Sequence, residues 1–103
     1  MKVKGWNNGS PLETGAGYGI RISRKDREAY FRREWESVII DLEGGSTIEV
    51  NISESFWRDC IELRSARIGK WMIRKELAPW EKNNPPSLEL KHIEGRKFKL
   101  KNT

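Results

Sequence analysis

Cysteine and histidine are almost missing from this chain: Cys60 and His92 are the only ones in 103 residues. A lone cysteine cannot close an internal disulfide, and one cysteine with one histidine cannot complete the ligand set of a structural zinc site. Metal and redox roles therefore recede, and no cofactor is expected. No apolar run approaches the roughly 20 residues that cross a bilayer, and Met1 to Ser10 has no apolar core of a secretory signal. A cytoplasmic protein with no membrane partner is expected. At 12.0 kDa the chain has room for one small domain rather than two, and little room for a deep catalytic cavity.

Catalytic constellations are equally scarce. Nucleophilic catalysis needs a base within hydrogen-bond reach of the nucleophile, and His92 falls at the end of a predicted strand beside a turn. Cys60 lies between Trp57 and Leu63 on an apolar stripe, where a small hydrophobe packs rather than reacts. Asp41 and Glu49 resemble the carboxylate pair of metal-dependent nucleases, but Asn51 stands where the water-polarising lysine belongs. Gly15-Ala16-Gly17-Tyr18-Gly19 has the glycines of a phosphate loop, yet it precedes a strand instead of following one and lacks the lysine. No enzyme, no catalytic residue and no metal site are expected.

What the chain does have is charge and tryptophan. Twenty Lys and Arg face fifteen Asp and Glu, a net +5. The layout is uneven: residues 1–35 carry +4, residues 36–66 carry −5 and residues 67–103 carry +6. A fold that joins the two ends would make one positive face, suited to a polyanion. Five tryptophans are many for this length. Trp57 and Trp71 sit at helical spacing and read as core. Trp6, Trp35 and Trp80 have weaker claims to burial and read as an interface, which makes self-association a competitor to nucleic-acid binding.

Residues 1–17 are rich in Gly, Asn, Ser and Pro without a sustained period and read as a flexible N-terminal arm, leaving 18–103 as the folded domain. Tyr18 to Ile22 alternates as a strand. Ser23, with Asp26 three residues on, opens a helix from Arg24 to about Arg33. Ser37–Leu42 and Thr47–Ile52 are β-branched runs joined by Glu43-Gly44-Gly45-Ser46, a hairpin. Helical spacing then runs from Phe56 to Leu77, divided near Ser65 and stopped by Pro79. Leu88 and Leu90, then Phe98 and Leu100, alternate with charged residues across a turn at Glu94-Gly95, a terminal hairpin. The order β-α-β-β-α(α)-β-β predicts an α+β domain with a mainly antiparallel sheet, a partly open barrel being one form of it. Its expected core is Ile20, Ile22, Phe31, Val38, Ile40, Val50, Ile52, Phe56, Ile68, Trp71, Leu88, Leu90, Phe98 and Leu100.

The basic residues concentrate the functional expectation. Arg21 projects opposite Ile20 and Ile22, and Arg24, Lys25 and Arg27 follow at the helix start. Lys97, Lys99 and Lys101 line the outer face of the last strand, where on a solvated edge they would also block strand-to-strand aggregation. Tyr18-Gly19-Ile20-Arg21-Ile22 leading to Asp26-Arg27, the strand Val38 to Leu42 and the Ser87 to Leu100 pair together resemble, in architecture, the prokaryotic B3-like DNA-binding pseudobarrels of some restriction enzymes. That resemblance implies two arms entering the major groove, one bearing Arg21, Arg24, Lys25 and Arg27, the other in the terminal hairpin. The pattern here departs from such barrels in having fewer strands and a long helical segment. The stretch from Ser55 to Trp71 with Pro85-Pro86 is also similar to segments of small bacterial proteins. Two functions are expected in competition: non-enzymatic binding of duplex DNA through Arg21, Arg24, Lys25, Arg27, Lys97 and Lys99, or a homo-oligomeric interaction module that touches no nucleic acid.

Overall fold

A computed structural model describes all 103 residues. It has seven strands, most of them with an apolar side chain at every second position: β1 (Lys2–Asn7), β2 (Tyr18–Arg21), β3 (Ser37–Leu42), β4 (Thr47–Asn51), β5 (Glu62–Arg64), β6 (Ser87–Glu94) and β7 (Lys97–Asn102). Two helices, α1 (Arg24–Tyr30) and α2 (Ala66–Arg74), complete an α+β domain. The strands make one sheet in the order β4-β3-β7-β6-β1-β2-β5. Neighbours are antiparallel except β3 and β7, which run parallel. The sheet curls until its end strands β4 and β5 approach each other without pairing, so it is a barrel with one open seam.

The inward residues of every strand meet in the lumen. Val3, Ile20, Val38, Ile40, Val50, Leu63, Leu88, Leu90, Phe98 and Leu100 are all buried, and each such side chain contributes about 1.5–3 kcal/mol by leaving water. Phe31, just past α1, closes one end by stacking on Phe98, with ring centroids 4.9 Å apart, and by meeting Phe56 at 5.2 Å. The other end is closed by Ile68, Trp71 and Met72 of α2. Trp71 donates its indole N–H to Glu43 O at 2.8 Å, tying α2 to the β3–β4 turn. Of the expected core only Ile52 is half-buried rather than buried.

Ser23 caps α1 by accepting from Asp26 N at 3.1 Å, as its position predicts, although the helix stops at Tyr30 rather than Arg33. Gly44 and Gly95 adopt φ of 69° and 52° in the two hairpin turns. Two segments differ from expectation. Residues 2–7 are not part of a loose arm but strand β1, paired with both β2 and β6. The expected helix from Phe56 to Leu77 is instead a 3₁₀ turn over Glu54–Trp57, strand β5 and the shorter α2.

Candidate nucleic-acid interface

Gly5 and Val3 of β1 face the lumen, so Lys2, Lys4 and Trp6 point outward. On β2 the same alternation turns Gly19 and Arg21 out, and on β5 it turns out Glu62 and Arg64. Register places these in rows: Lys4 opposite Arg21 opposite Glu62, and Trp6 opposite Gly19 opposite Arg64. Because Gly19 carries no side chain, Arg64 reaches across β2 and lies over the Trp6 ring, 5.0 Å from its centroid. A Cβ on Gly19 would sit 2.3 Å from Leu63 O, so any other residue would also push β5 away.

Glu62 organises the charges. Its side chain is only 3% exposed, and its two oxygens accept from different guanidinium groups, Arg21 Nη2 at 3.1 Å and Arg64 Nη2 at 2.9 Å. A buried carboxylate held by two charge-assisted bonds offsets its own desolvation and fixes both arginines. The outer parts of Arg21 and Arg64 stay in water, and Lys4 beside them has no acidic partner within ion-pair distance. The patch therefore presents three cations against one sunken anion, next to an aromatic face.

The structure divides the sequence-expected set. Arg21 lies in this patch, and Arg24 and Lys25 are exposed in the first turn of α1, directly after it. Arg27 is different. It is 3% exposed and donates to Phe56 O at 2.9 Å, Arg58 O at 3.2 Å and the Glu28 carboxylate at 2.9 Å, while lying over Trp57. Its Nη1 holds the 3₁₀ turn against α1 and its Nε is taken by Glu28, and at so little exposure the guanidinium is not presented to phosphate. Lys97 and Lys99 are three strand positions from Arg21, since β7 and β2 are separated by β6 and β1. In a nearly closed seven-stranded sheet that is close to the opposite side. β7 is also a central strand, not an edge, and its lysines face Asp41, Glu89 and Lys91 on the neighbouring strands.

Trp6, Trp35 and Trp80 are each half-buried. Trp35 lies edge-on to Phe31 and Phe98 at the α1 end of the barrel. Trp6 and Trp80, in contrast, border one groove of about 620 Å³ at the α2 end, together with Asn7, Tyr18, Arg21 and Lys82. Trp80 meets Tyr18 with ring centroids 5.6 Å apart at 60°. Tyr18 is 4% exposed, and burial pushes its phenol above the ordinary value of 10.0. No hydrogen bond ties that hydroxyl to the chain; since no unpaired polar side-chain atom is sealed from solvent, the oxygen keeps some contact with water, and Tyr18 lines the groove.

Arg64 has no signal of its own in the sequence, because the apolar spacing around β5 also fits a helix. A second omission is the exposed stripe Arg67, Lys70 and Arg74 on α2, which with Thr14 and Ser46 lines a cleft of about 200 Å³. Its signal is present in the sequence as basic residues at i, i+3 and i+7 opposite Ile68, Trp71 and Met72. The remaining candidates are tied up locally. Glu49 accepts from Ser37 and faces Arg96 at 3.6 Å, Asp41 accepts from Thr47 at 3.3 Å, and His92 Nε2 is 2.7 Å from Gly95 O. No family model matches the chain, and neither does any curated protein or solved structure.

Proposed function

We propose that this protein binds nucleic acid without catalysing a reaction on it, through the face built by Lys4, Trp6, Arg21 and Arg64 and continued by Arg24 and Lys25. The observation that supports this most is the Glu62 clamp, which presents two guanidinium groups in a fixed arrangement beside an unpaired lysine and a tryptophan. Fixed guanidinium groups suit phosphate, because less side-chain freedom is lost when they bind. Duplex DNA is the proposed form of the partner, on the strength of the B3-like resemblance. Phosphate contacts hold a protein in place and carry no base information, so this face implies affinity with little sequence preference.

The test is a salt titration with random-sequence duplex DNA. Each phosphate neutralised steepens the dependence of log K on log salt by roughly 0.9, so Arg24→Gln with Lys25→Gln should lower the slope by about 1–2 while leaving the melting temperature unchanged. Absence of binding at about 50 mM salt defeats the proposal.

One observation favours the rival reading, a homo-oligomeric interaction module. Tyr30 is large, apolar and exposed, and it lines a recess with Phe31, Trp35 and His92. They offer a second copy an aromatic surface at the α1 end. Sedimentation at the 12.0 kDa of a single chain across the micromolar range would dispose of it.

A further inference from the structure

Tyr18 is only 4% exposed, its hydroxyl has no partner in the chain, and it lines the groove that Trp6 and Trp80 also border. We infer that this groove receives a single unstacked nucleobase, a reading that rests on the proposed nucleic-acid function. The space of about 620 Å³ falls within the roughly 300–1,000 Å³ of small-molecule sites. Trp6 and Trp80 both contribute to its lining, which gives a planar ring aromatic surface to pack against.

The polar groups fit a base edge, where donors and acceptors alternate. The Tyr18 hydroxyl both donates and accepts. The Asn7 carbonyl oxygen is already taken by Gly9 N at 2.8 Å, which leaves its amide N–H₂ as donor. Among the indoles only that of Trp71 donates within the chain, so those of Trp6 and Trp80 remain available. An apolar occupant would satisfy none of these groups. Arg21 and Lys82 also line the groove and supply cations for the phosphates that flank a base, and Arg21 belongs at once to the groove and to the cationic face. The groove is thus continuous with the proposed phosphate-binding surface, as a nucleotide turned out of its strand requires.

A base can reach the groove from a duplex that extrudes it or from a single strand, and the experiment separates the two. Binding is compared for four oligonucleotides of equal length: a matched duplex, the same duplex with a central mismatch, a single strand, and an abasic strand of the same charge. Mismatched duplex or base-bearing single strand should bind about 10-fold tighter than its matched or abasic counterpart. Tyr18→Phe removes one oxygen and should erase about 3–10-fold of that preference while leaving matched-duplex binding unchanged. Trp6→Leu removes an aromatic lining residue without touching the core and should erase at least as much of the preference; because it also frees Arg64 from the ring, it is read as the ratio of base-bearing to abasic binding, in which a loss common to both cancels. A preference confined to the single strand identifies that source; a preference for the mismatch identifies extrusion. Equal binding of all four, unaltered by Tyr18→Phe and Trp6→Leu, overturns the inference and leaves the phosphate-binding proposal standing. No binding of any at about 50 mM salt removes both.

Discussion

Gly69 lies in the middle of α2, where alanine would ordinarily stabilise a helix by about 1 kcal/mol. Here Gly69→Ala should destabilise the protein. A Cβ at this position would sit 2.2 Å from Gly15 O and 2.8 Å from both Gly15 Cα and its carbonyl carbon. Even a weak C–H···O contact keeps carbon and oxygen about 3.3–3.6 Å apart, so α2 and the β1–β2 connection must separate by roughly 1 Å. Gly15 cannot simply yield. Its N–H bonds Leu12 O at 2.9 Å, its φ is 95°, and its own missing Cβ would fall 2.1 Å from Ala66 O. Overpacking a well-fitted contact costs about 1–3 kcal/mol, and backbone atoms on both sides put this site at the upper end. The net loss after the propensity gain is about 1–2 kcal/mol, a fall in Tm on the order of 5–15 °C for a domain this size. Urea unfolding followed by tryptophan fluorescence measures it, with Lys70→Ala on the exposed side of the same helix as the control. A Gly69→Ala midpoint at or above the wild-type value, with unchanged m, would refute the close-approach account.

Three further outcomes are expected. Ile40→Ala, at a fully buried position of β3, should cost about 2–5 kcal/mol in the same urea assay; a smaller loss would mean that the lumen collapses around the gap. Arg27→Ala should cost about 2 kcal/mol or more, since it strips the Phe56 and Arg58 carbonyls of their donor, yet should leave the salt slope of DNA binding unchanged; a flatter slope at unaltered stability would return Arg27 to the interface. Tyr18 holds its proton more tightly folded than unfolded, so the unfolded chain releases it first as pH rises. Stability should therefore fall from about pH 10 upward, and comparing wild type with Tyr18→Phe at pH 9–11 isolates that share; parallel curves would refute it.

How far the fold could be read from the sequence depended on whether a local period had one interpretation. Ile48, Val50 and Ile52 beside Gly44-Gly45 allow only a hairpin strand, and Ser23 with Asp26 allows little but a helix start. β1 was illegible because its second inward position is Gly5, and the space there is filled by Trp80 and Pro86 from a distant segment. An alternation with one member missing leaves Lys2-Val3-Lys4 looking like charged loop. β5 failed for the opposite reason: Phe56, Trp57, Cys60, Ile61 and Leu63 satisfy both a helical and a strand period, and three residues are too few to arbitrate. The candidate site inherits both failures. Trp6 sits on β1 and Arg64 on β5, so their meeting over Gly19 could appear only once β2 had been placed between them.

The order β4-β3-β7-β6-β1-β2-β5 also constrains how the chain can reach this state. The early β3–β4 hairpin has just one sheet partner, β7, which begins more than forty residues after the hairpin ends. Until Lys97–Asn102 has been made, that hairpin has no strand to join, and its apolar side Val38, Ile40, Ile48 and Val50 has no opposite wall. The last strand is the keystone between two half-sheets. Closing so long a loop for a parallel pair is slow, so assembly should be late and all at once instead of stepwise along the chain. A chain ending before Lys97 should remain unfolded and prone to aggregate, however much of the remaining sequence it retains.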